Sequence, residues 1–223
     1  MTQPPGFPDL LFRRKAEGIW RTMGAEVSQF DKFAGISAIL AAGVSVLYGV
    51  FFALALRGSE TTATPSAVLL MVSGLLGIVV VCALYQCFIN LDSGFALLAL
   101  VLGVLGAGGA LIHGAFDLST LVGPEEVAAT GVNAVDPRGA LVFGISGLSV
   151  LIFARLIVVG TRLPLNLGWV GYGLAGFLLL LYLGRLFILD PGQPILRFSA
   201  ILAGFVLNPV WNLWIGVELL RGE

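Results

Sequence analysis

The sequence predicts an all-α protein: a polytopic bundle of six transmembrane helices, preceded by an amphipathic helix at the membrane interface. Six separate apolar runs of about twenty residues each lie within the chain. A helix rises about 1.5 Å per residue, so a run of that length matches the roughly 30 Å hydrocarbon core of a bilayer. The mean hydropathy of +1.00 and a charged fraction of 11% indicate that the surrounding solvent is lipid rather than water.

The predicted spans end at clear changes in composition. Polar or helix-breaking residues fill 57–65 (RGSETTATP), 90–93 (NLDS), 162–164 and 190–194 (DPGQP). The connection 119–138 is longer and acidic, and we expect a surface loop there with one helical turn over 124–129. The six spans are therefore predicted at 33–56, 67–89, 94–118, 139–160, 167–189 and 198–219.

The segment 1–32 is predicted to be cytoplasmic or interfacial, and 33–223 to form the six-span domain. Over 9–27, apolar residues recur at helical spacing, while the four basic residues of this segment lie largely off that stripe. This pattern is typical of a helix that lies in the plane of the lipid headgroups. A short cytosolic helix packed on the loops has the same pattern and is the alternative.

Lys and Arg are distributed unequally between the two sides of the predicted bundle. Eight of the twelve fall on the side of the two termini, and four fall on the other side together with the acidic 119–138 connection. Basic residues near membrane helices tend to stay in the cytoplasm. The sequence therefore predicts a multi-pass membrane protein with both termini in the cytoplasm.

The third span carries small and ionisable residues on one face. Gly103, Gly106, Ala110, His113 and Asp117 follow one another at alternating steps of three and four residues. Small residues on one face let a neighbouring helix approach closely. We therefore expect this face to point into the bundle.

His113, Asp117 and Arg185 are the first candidates for a ligand site. Arg185 approaches the outer end of the fifth span at a depth comparable with the other two. Ionisable side chains at one level of a low-dielectric bundle are able to bind an anionic or polar ligand, or to form a proton-linked gate. In the structural alternative, Asp117 caps the helix boundary, Arg185 reaches the headgroups and His113 hydrogen-bonds a neighbouring helix.

Asn208 and Asn212 are further ligand-binding candidates, in the motif NPVWNLW of the last span. They share a helix face, and Pro209 removes a backbone hydrogen bond, so we expect a bend filled by polar side chains. Such a bend marks either a substrate pathway or a packing contact. Near the cytoplasmic ends of the fourth and sixth spans, Arg155 and Glu218 are predicted to form a structural ion pair, because neither is tolerated against acyl chains.

Composition excludes several kinds of site. The single histidine cannot supply a bis-histidine haem site, and the sequence has no ligand cluster for zinc, no Walker loop and no nucleophile elbow. Cys82 and Cys87, five residues apart in one span, are interpreted as small buried apolar residues. We expect no catalytic residues, no metal, no cofactor and no nucleic-acid partner.

The C-terminal third, from RLPLNLGWVGYGLAGFLLLLYLGRLF to PILRFSAILAGFVLNPVWNLWIGVELLRG, resembles a family of uncharacterised six-helix bacterial and archaeal membrane proteins classed as a domain of unknown function. The resemblance covers about the last seventy residues. It implies six spans and a prokaryotic plasma membrane, and no activity. It is carried by Arg162, Pro164, Gly168, Pro209, Gly216, Glu218 and Arg221.

These observations favour a non-enzymatic integral membrane protein that binds a small molecule or a lipid between its helices, as an accessory or sensory component. A small secondary transporter or channel for a polar or anionic solute is the alternative, and an intramembrane enzyme is a third possibility. The expected partners are the lipid bilayer and a small-molecule or lipid ligand, and a homo-oligomer is compatible with the sequence. A polar cavity that reaches the middle of the membrane favours transport, whereas a tightly packed centre favours the accessory role.

Overall fold

The computed structural model describes residues 28–55, 57, 60–122, 135–188 and 193–222. This part of the chain is helical and contains no strand, and it has six helical spans long and apolar enough to cross a membrane. The predicted fold class is confirmed: the chain is an all-α bundle of a multi-pass membrane protein. The predicted amphipathic helix over 9–27 and the predicted turn over 124–129 lie outside the described residues.

The first three spans are unbroken helices: α1 (Gln29–Ala55), α2 (Glu60–Phe88) and α3 (Ser93–Val122). The fourth span begins with a short turn at Pro137–Gly139 and a π-helical segment (Ala140–Ile145), which α4 (Ser146–Val159) follows, and the fifth span is α5 (Leu165–Phe187). The sixth span consists of α6 (Pro194–Ile201), a second π-helical segment (Leu202–Leu207) and α7 (Asn208–Arg221).

Two predicted loops are shorter than expected, because the helices continue beyond their apolar runs. α2 begins at Glu60, so that most of the polar segment 57–65 is helical and Pro65 lies inside the helix. The fixed φ of proline is compatible with a helix, and near the start of the helix it removes only one backbone hydrogen bond. α3 continues to Val122, which shortens the predicted 119–138 loop at its start.

Side-chain caps mark the beginnings of α1 and α3. The backbone N–H of Asp31 donates to Ser28 Oγ at 2.9 Å, and the N–H of Phe95 donates to Asp92 Oδ1 at 3.0 Å. Both bonds satisfy an N–H group that has no partner in the first turn of a helix. The predicted tight turn at 90–93 therefore also supplies the N-terminal cap of α3, through Asp92.

The six spans form a closed ring in chain order. Each span packs against the next one in sequence, and α1 packs against α7 to close the ring. One end of the ring, where α1 begins and α7 ends, is called the terminal end. The opposite end, where α1 ends and the sixth span begins, is called the loop end.

The two halves of the ring differ in their contents. The cluster of buried apolar side chains contains Phe88, Phe153, Trp211 and Ile215, and all of its members except Leu181 and Ala203 lie in the terminal half. The ionisable candidates His113, Asp117 and Arg185 lie in the loop half. The terminal half therefore holds the packed apolar core, and these three ionisable candidates lie outside it.

The last span is broken at the predicted place, and the break takes the form of a π-helical segment. Leu202–Leu207 directly precedes Asn208 and Pro209. Pro209 has no N–H to donate to the carbonyl of Phe205, so the regular helical ladder is interrupted there. A wider turn accommodates the missing bond, and such π turns occur often at functional sites.

Candidate functional site

Glycines place α3 in close contact with both of its neighbours. A Cβ atom at Gly103 would lie 2.8 Å from Ser149 Oγ of α4 and 2.8 Å from Val81 Cγ1 of α2. The Ser149 hydroxyl donates to the carbonyl oxygen of Ala99 at 2.7 Å, which links α4 to α3. The small-residue face of α3 therefore contacts α4 through its Gly103 end, and Gly106 continues that contact against Ser146.

His113 and Asp117 continue the same side of α3 into the loop half. Both side chains are half-buried. They interact with each other electrostatically, as expected for residues one helical turn apart. The two predicted candidates are thus brought together in the loop half.

Arg185 lies in the last turn of α5, and its side chain packs against the start of the fourth span. The guanidinium carbon lies 5.2 Å from the centre of the Phe143 ring, a cation–π contact. Nη1 lies 3.3 Å from the point where a Cβ of Gly139 would be. The position of Arg185 therefore depends on the turn that precedes the π-helix of the fourth span.

That turn is fixed by a buried carboxylate and by left-handed backbone. Asp136 is 3% exposed and accepts hydrogen bonds from the backbone N–H groups of Leu141 at 2.9 Å and Val142 at 3.2 Å. Arg138 and Gly139 have φ values of 62° and 75°. Gly139 is required, because a Cβ there would collide with the Phe143 ring. Asp136 was not predicted from the sequence as a site residue, and it holds Phe143 where Arg185 contacts it.

Tyr48 joins this group from α1. Its ring stacks on Phe52 at 5.5 Å between centres. Its hydroxyl lies within electrostatic range of both the Asp117 carboxylate and the Arg185 guanidinium. Tyr48 makes no direct hydrogen bond to Asp117 or Arg185 within the described ranges, and we name Tyr48, His113, Asp117 and Arg185 the loop-half quartet because the four ionisable groups share one neighbourhood.

The quartet comes from α1, α3 and α5, which alternate around the ring. Within the described ranges, no ion pair or hydrogen bond joins Asp117 to Arg185, and the two ion pairs present are Arg162–Asp31 and Arg221–Glu218. Opposite charges therefore share one neighbourhood without a direct contact between them. Such an arrangement offers donors from Arg185 and Tyr48, an acceptor from Asp117 and an imidazole able to act as either.

Asn208 and Asn212 bond to each other and to α1. Asn212 Nδ2 donates to Oδ1 of Asn208 and to its backbone oxygen, each at 2.9 Å, and Asn208 Nδ2 donates to Ser45 Oγ at 3.1 Å. Ser45 in turn donates to the carbonyl of Ala41 at 2.8 Å. This chain of bonds links the sixth span to α1 beside the π turn, which is the packing role weighed above.

The structure does not bring Arg155 and Glu218 together. Arg155 is exposed, and its guanidinium carbon lies 4.7 Å from the centre of the Phe95 ring on α3. Glu218 Oε1 accepts from Trp214 Nε1 at 3.0 Å and from Arg221 Nη1 at 3.3 Å. The predicted pair is replaced by partners on adjacent turns and on the neighbouring helix, because α4 packs against α3 and α5 rather than α7.

Among the described residues, no three His, Cys, Asp or Glu side chains are grouped closely enough to hold a metal ion. Comparison with known proteins gives no relative: no family model matches the chain, and no curated protein or solved structure is significantly similar to it. Any account of function therefore depends on the residues themselves.

Proposed function

We propose that this protein is a non-enzymatic accessory or sensory membrane protein that binds a small ligand in the loop half of its six-span ring. The observation that carries the proposal is the loop-half quartet. Tyr48, His113, Asp117 and Arg185 come from three alternate spans, and ionisable residues within a membrane domain are costly unless they serve a purpose.

The chemistry of the quartet favours a polar ligand that carries a negative charge. Arg185 is the fixed positive charge of the quartet, and guanidinium groups bind carboxylates and phosphates with two parallel hydrogen bonds. Tyr48 adds a hydroxyl donor. Asp117 is suited to a hydroxyl or amino group on the same ligand, because a carboxylate accepts hydrogen bonds.

The packed terminal half supports binding over transport. Large buried side chains such as Phe88, Phe153 and Trp211 fill the ring between the quartet and the terminal end. The proposed ligand would therefore approach the quartet from the loop end. The basic residues near the termini support an orientation in a plasma membrane with both termini in the cytoplasm, which puts the ligand site on the outer side.

The test is a thermal-shift screen of small carboxylates and phosphates on the purified full chain. A ligand at one hundred times its Kd adds about 2.7 kcal/mol to the stability, or roughly 5 to 10 °C in melting temperature. We expect Arg185→Gln to abolish that shift and Arg197→Gln, an exposed arginine at the same end, to retain it. Equal shifts in both variants would rule out the quartet as the site.

The same ligand tests the role of His113. The imidazole offers a hydrogen-bonding nitrogen to a ligand that contacts Asp117 or Arg185. His113→Phe keeps a ring at this position and removes that hydrogen bond, so we expect the affinity to fall roughly threefold to tenfold while the protein stays folded. Unchanged affinity in this variant would remove His113 from the site.

A small secondary transporter or channel is the second candidate, and the two π-helical segments favour it. Ala140–Ile145 and Leu202–Leu207 both pack against α5. Interrupted helices around a polar site are common in transporters, where the interruption allows movement. Uptake of the stabilising ligand into proteoliposomes, lost in Arg185→Gln, would favour this candidate over the accessory role.

A further inference from the structure

The outer face of α7 carries a shallow depression at the terminal end of the bundle. Its volume is about 310 Å³. The described residues that line it follow one another at helical spacing on one side of α7. They are Val210, Leu213, Trp214, Val217, Glu218 and Arg221.

The depression changes from apolar to charged along the helix. Val210, Leu213 and Val217 form its apolar part, and Glu218 and Arg221 lie in the last turn, just before Gly222 ends the helix in left-handed conformation. About eight residues separate Val210 from Glu218, which is roughly 12 Å along a helix. A tryptophan beside charged residues at the end of a span is typical of the level of the lipid headgroups.

Glu218 is held in place and yet keeps an oxygen atom available. Its side chain is 10% exposed, and both of its side-chain hydrogen bonds, from Trp214 and Arg221, converge on Oε1. Within the described part of the chain, no hydrogen bond reaches Oε2. Arg221 uses one nitrogen for this contact, and its side chain is 60% exposed.

We propose that this face binds a phospholipid whose headgroup carries a primary ammonium group beside its phosphate. The ammonium donates to Glu218 Oε2, the phosphate accepts from the Arg221 guanidinium, and an acyl chain covers Val210, Leu213 and Val217. The carboxylate and the guanidinium thus match the two charges of a phosphatidylethanolamine headgroup.

The same charges discriminate against other common lipids. A choline headgroup has no N–H to donate to Glu218, because three methyl groups surround its nitrogen. A glycerol headgroup leaves the lipid with a net negative charge and brings no cation to the nearly buried carboxylate of Glu218. This site lies at the opposite end of the bundle from the loop-half quartet, so neither proposal depends on the other.

Native mass spectrometry of the full chain tests the proposal with three dioleoyl lipids that differ only in headgroup: phosphatidylethanolamine, phosphatidylcholine and phosphatidylglycerol. We expect the wild type to bind the ethanolamine lipid most tightly. Glu218→Gln should weaken that binding about tenfold, as expected for the loss of one charge-assisted hydrogen bond, and leave the choline lipid unchanged. Asp31→Asn is the matched control, because Asp31 belongs to the other ion pair at this end, and it should keep the preference.

Equal binding of the three lipids, a preference for phosphatidylglycerol, or an ethanolamine preference retained in Glu218→Gln would each overturn the proposal. A second measurement leaves Glu218 intact and uses a photo-crosslinking amino acid at Leu213, which is 47% exposed. A crosslink to phosphatidylethanolamine in mixed-lipid nanodiscs supports the proposal. A crosslink to residues 1–27 of the same chain, or to a second copy, would show that protein covers this face instead.

Discussion

The contact between α1 and α7 depends on two glycines that face each other, and its disruption can be predicted in detail. A Cβ atom at Gly216 would lie 2.7 Å from the carbonyl oxygen of Gly35, 2.7 Å from Ile39 Cγ1 and 3.1 Å from Ile39 N. Two of these three atoms belong to the backbone of α1, so no side-chain rotation relieves the contact. Gly216→Ala must therefore separate the two helices that close the ring.

The cost of this change follows from opposing effects. Adding a methyl group to a well-packed contact costs about 1 to 3 kcal/mol. Alanine is favoured over glycine within a helix by roughly 0.5 to 1 kcal/mol. The net loss in free energy of unfolding should thus be about 0 to 2.5 kcal/mol. Gly43→Ala, in a position of α1 where the new Cβ meets no atom within 4 Å, should instead gain about 0.5 to 1 kcal/mol.

Circular dichroism can follow the unfolding of both variants in mixed micelles as the fraction of denaturing detergent is raised. This measurement gives the two free energies of unfolding on one scale. Because both substitutions replace glycine by alanine within a helix, propensity cancels in the comparison, and about 1 to 3 kcal/mol should separate them. Equal stability of Gly216→Ala and Gly43→Ala would refute the close backbone contact as the feature that holds α1 to α7.

Three further outcomes are expected. Single cysteines placed at Gly222 and at Gln193, in a chain without its native cysteines, should differ in their labelling by an impermeant thiol reagent in intact cells. The reagent should label Gln193→Cys and not Gly222→Cys, and the reverse result would invert the proposed orientation. A double-mutant cycle of Ser45→Ala and Asn208→Ala should give a coupling of about 0.6 kcal/mol, up to roughly 1.7, and additive losses would mean that the hydrogen bond contributes nothing. Asp136→Ala should lower the free energy of unfolding by about 1 to 2 kcal/mol in the same detergent unfolding measurement, because two backbone N–H groups lose their acceptor. Asp136→Asn keeps one acceptor oxygen and should lose less stability than Asp136→Ala, and equal losses would contradict this reasoning.

The sequence predicts the spans well because the length of an apolar run is set directly by the thickness of the bilayer. It predicts helix ends less well, as at Glu60 and Val122, because a helix continues past its apolar run wherever its polar end reaches water or headgroups. The break near Pro209 is also readable from the sequence. Its π-helical form is not, because the choice between a kink and a wider turn depends on the packing of the neighbouring spans.

Site residues on one helix are easier to predict than contacts between helices. His113 and Asp117 are four residues apart, so their proximity follows from helical geometry alone. The predicted Arg155–Glu218 pair required α4 and α7 to be neighbours, and a hydropathy profile does not show which spans pack against each other. Tyr48 was missed for the same reason, although a tyrosine three residues after Ser45 within an apolar run is a polar signal that a search for site residues should retain.

The π turn of the sixth span also changes which residues face inward. Leu196 and Ser199 are buried before the π-helical segment and Ala203 is buried within it, and an unbroken helix would continue that row at Val210. Val210 is instead 42% exposed, and the buried row continues at Trp211, which is 4% exposed. The segment Leu202–Leu207 thus acts as a frame shift of one residue, so that two halves of a single span, each with a regular buried row, meet out of phase. A helix of constant period would turn Trp211 away from this buried row, whereas one inserted residue places the Trp211 ring against Gly171 in the core.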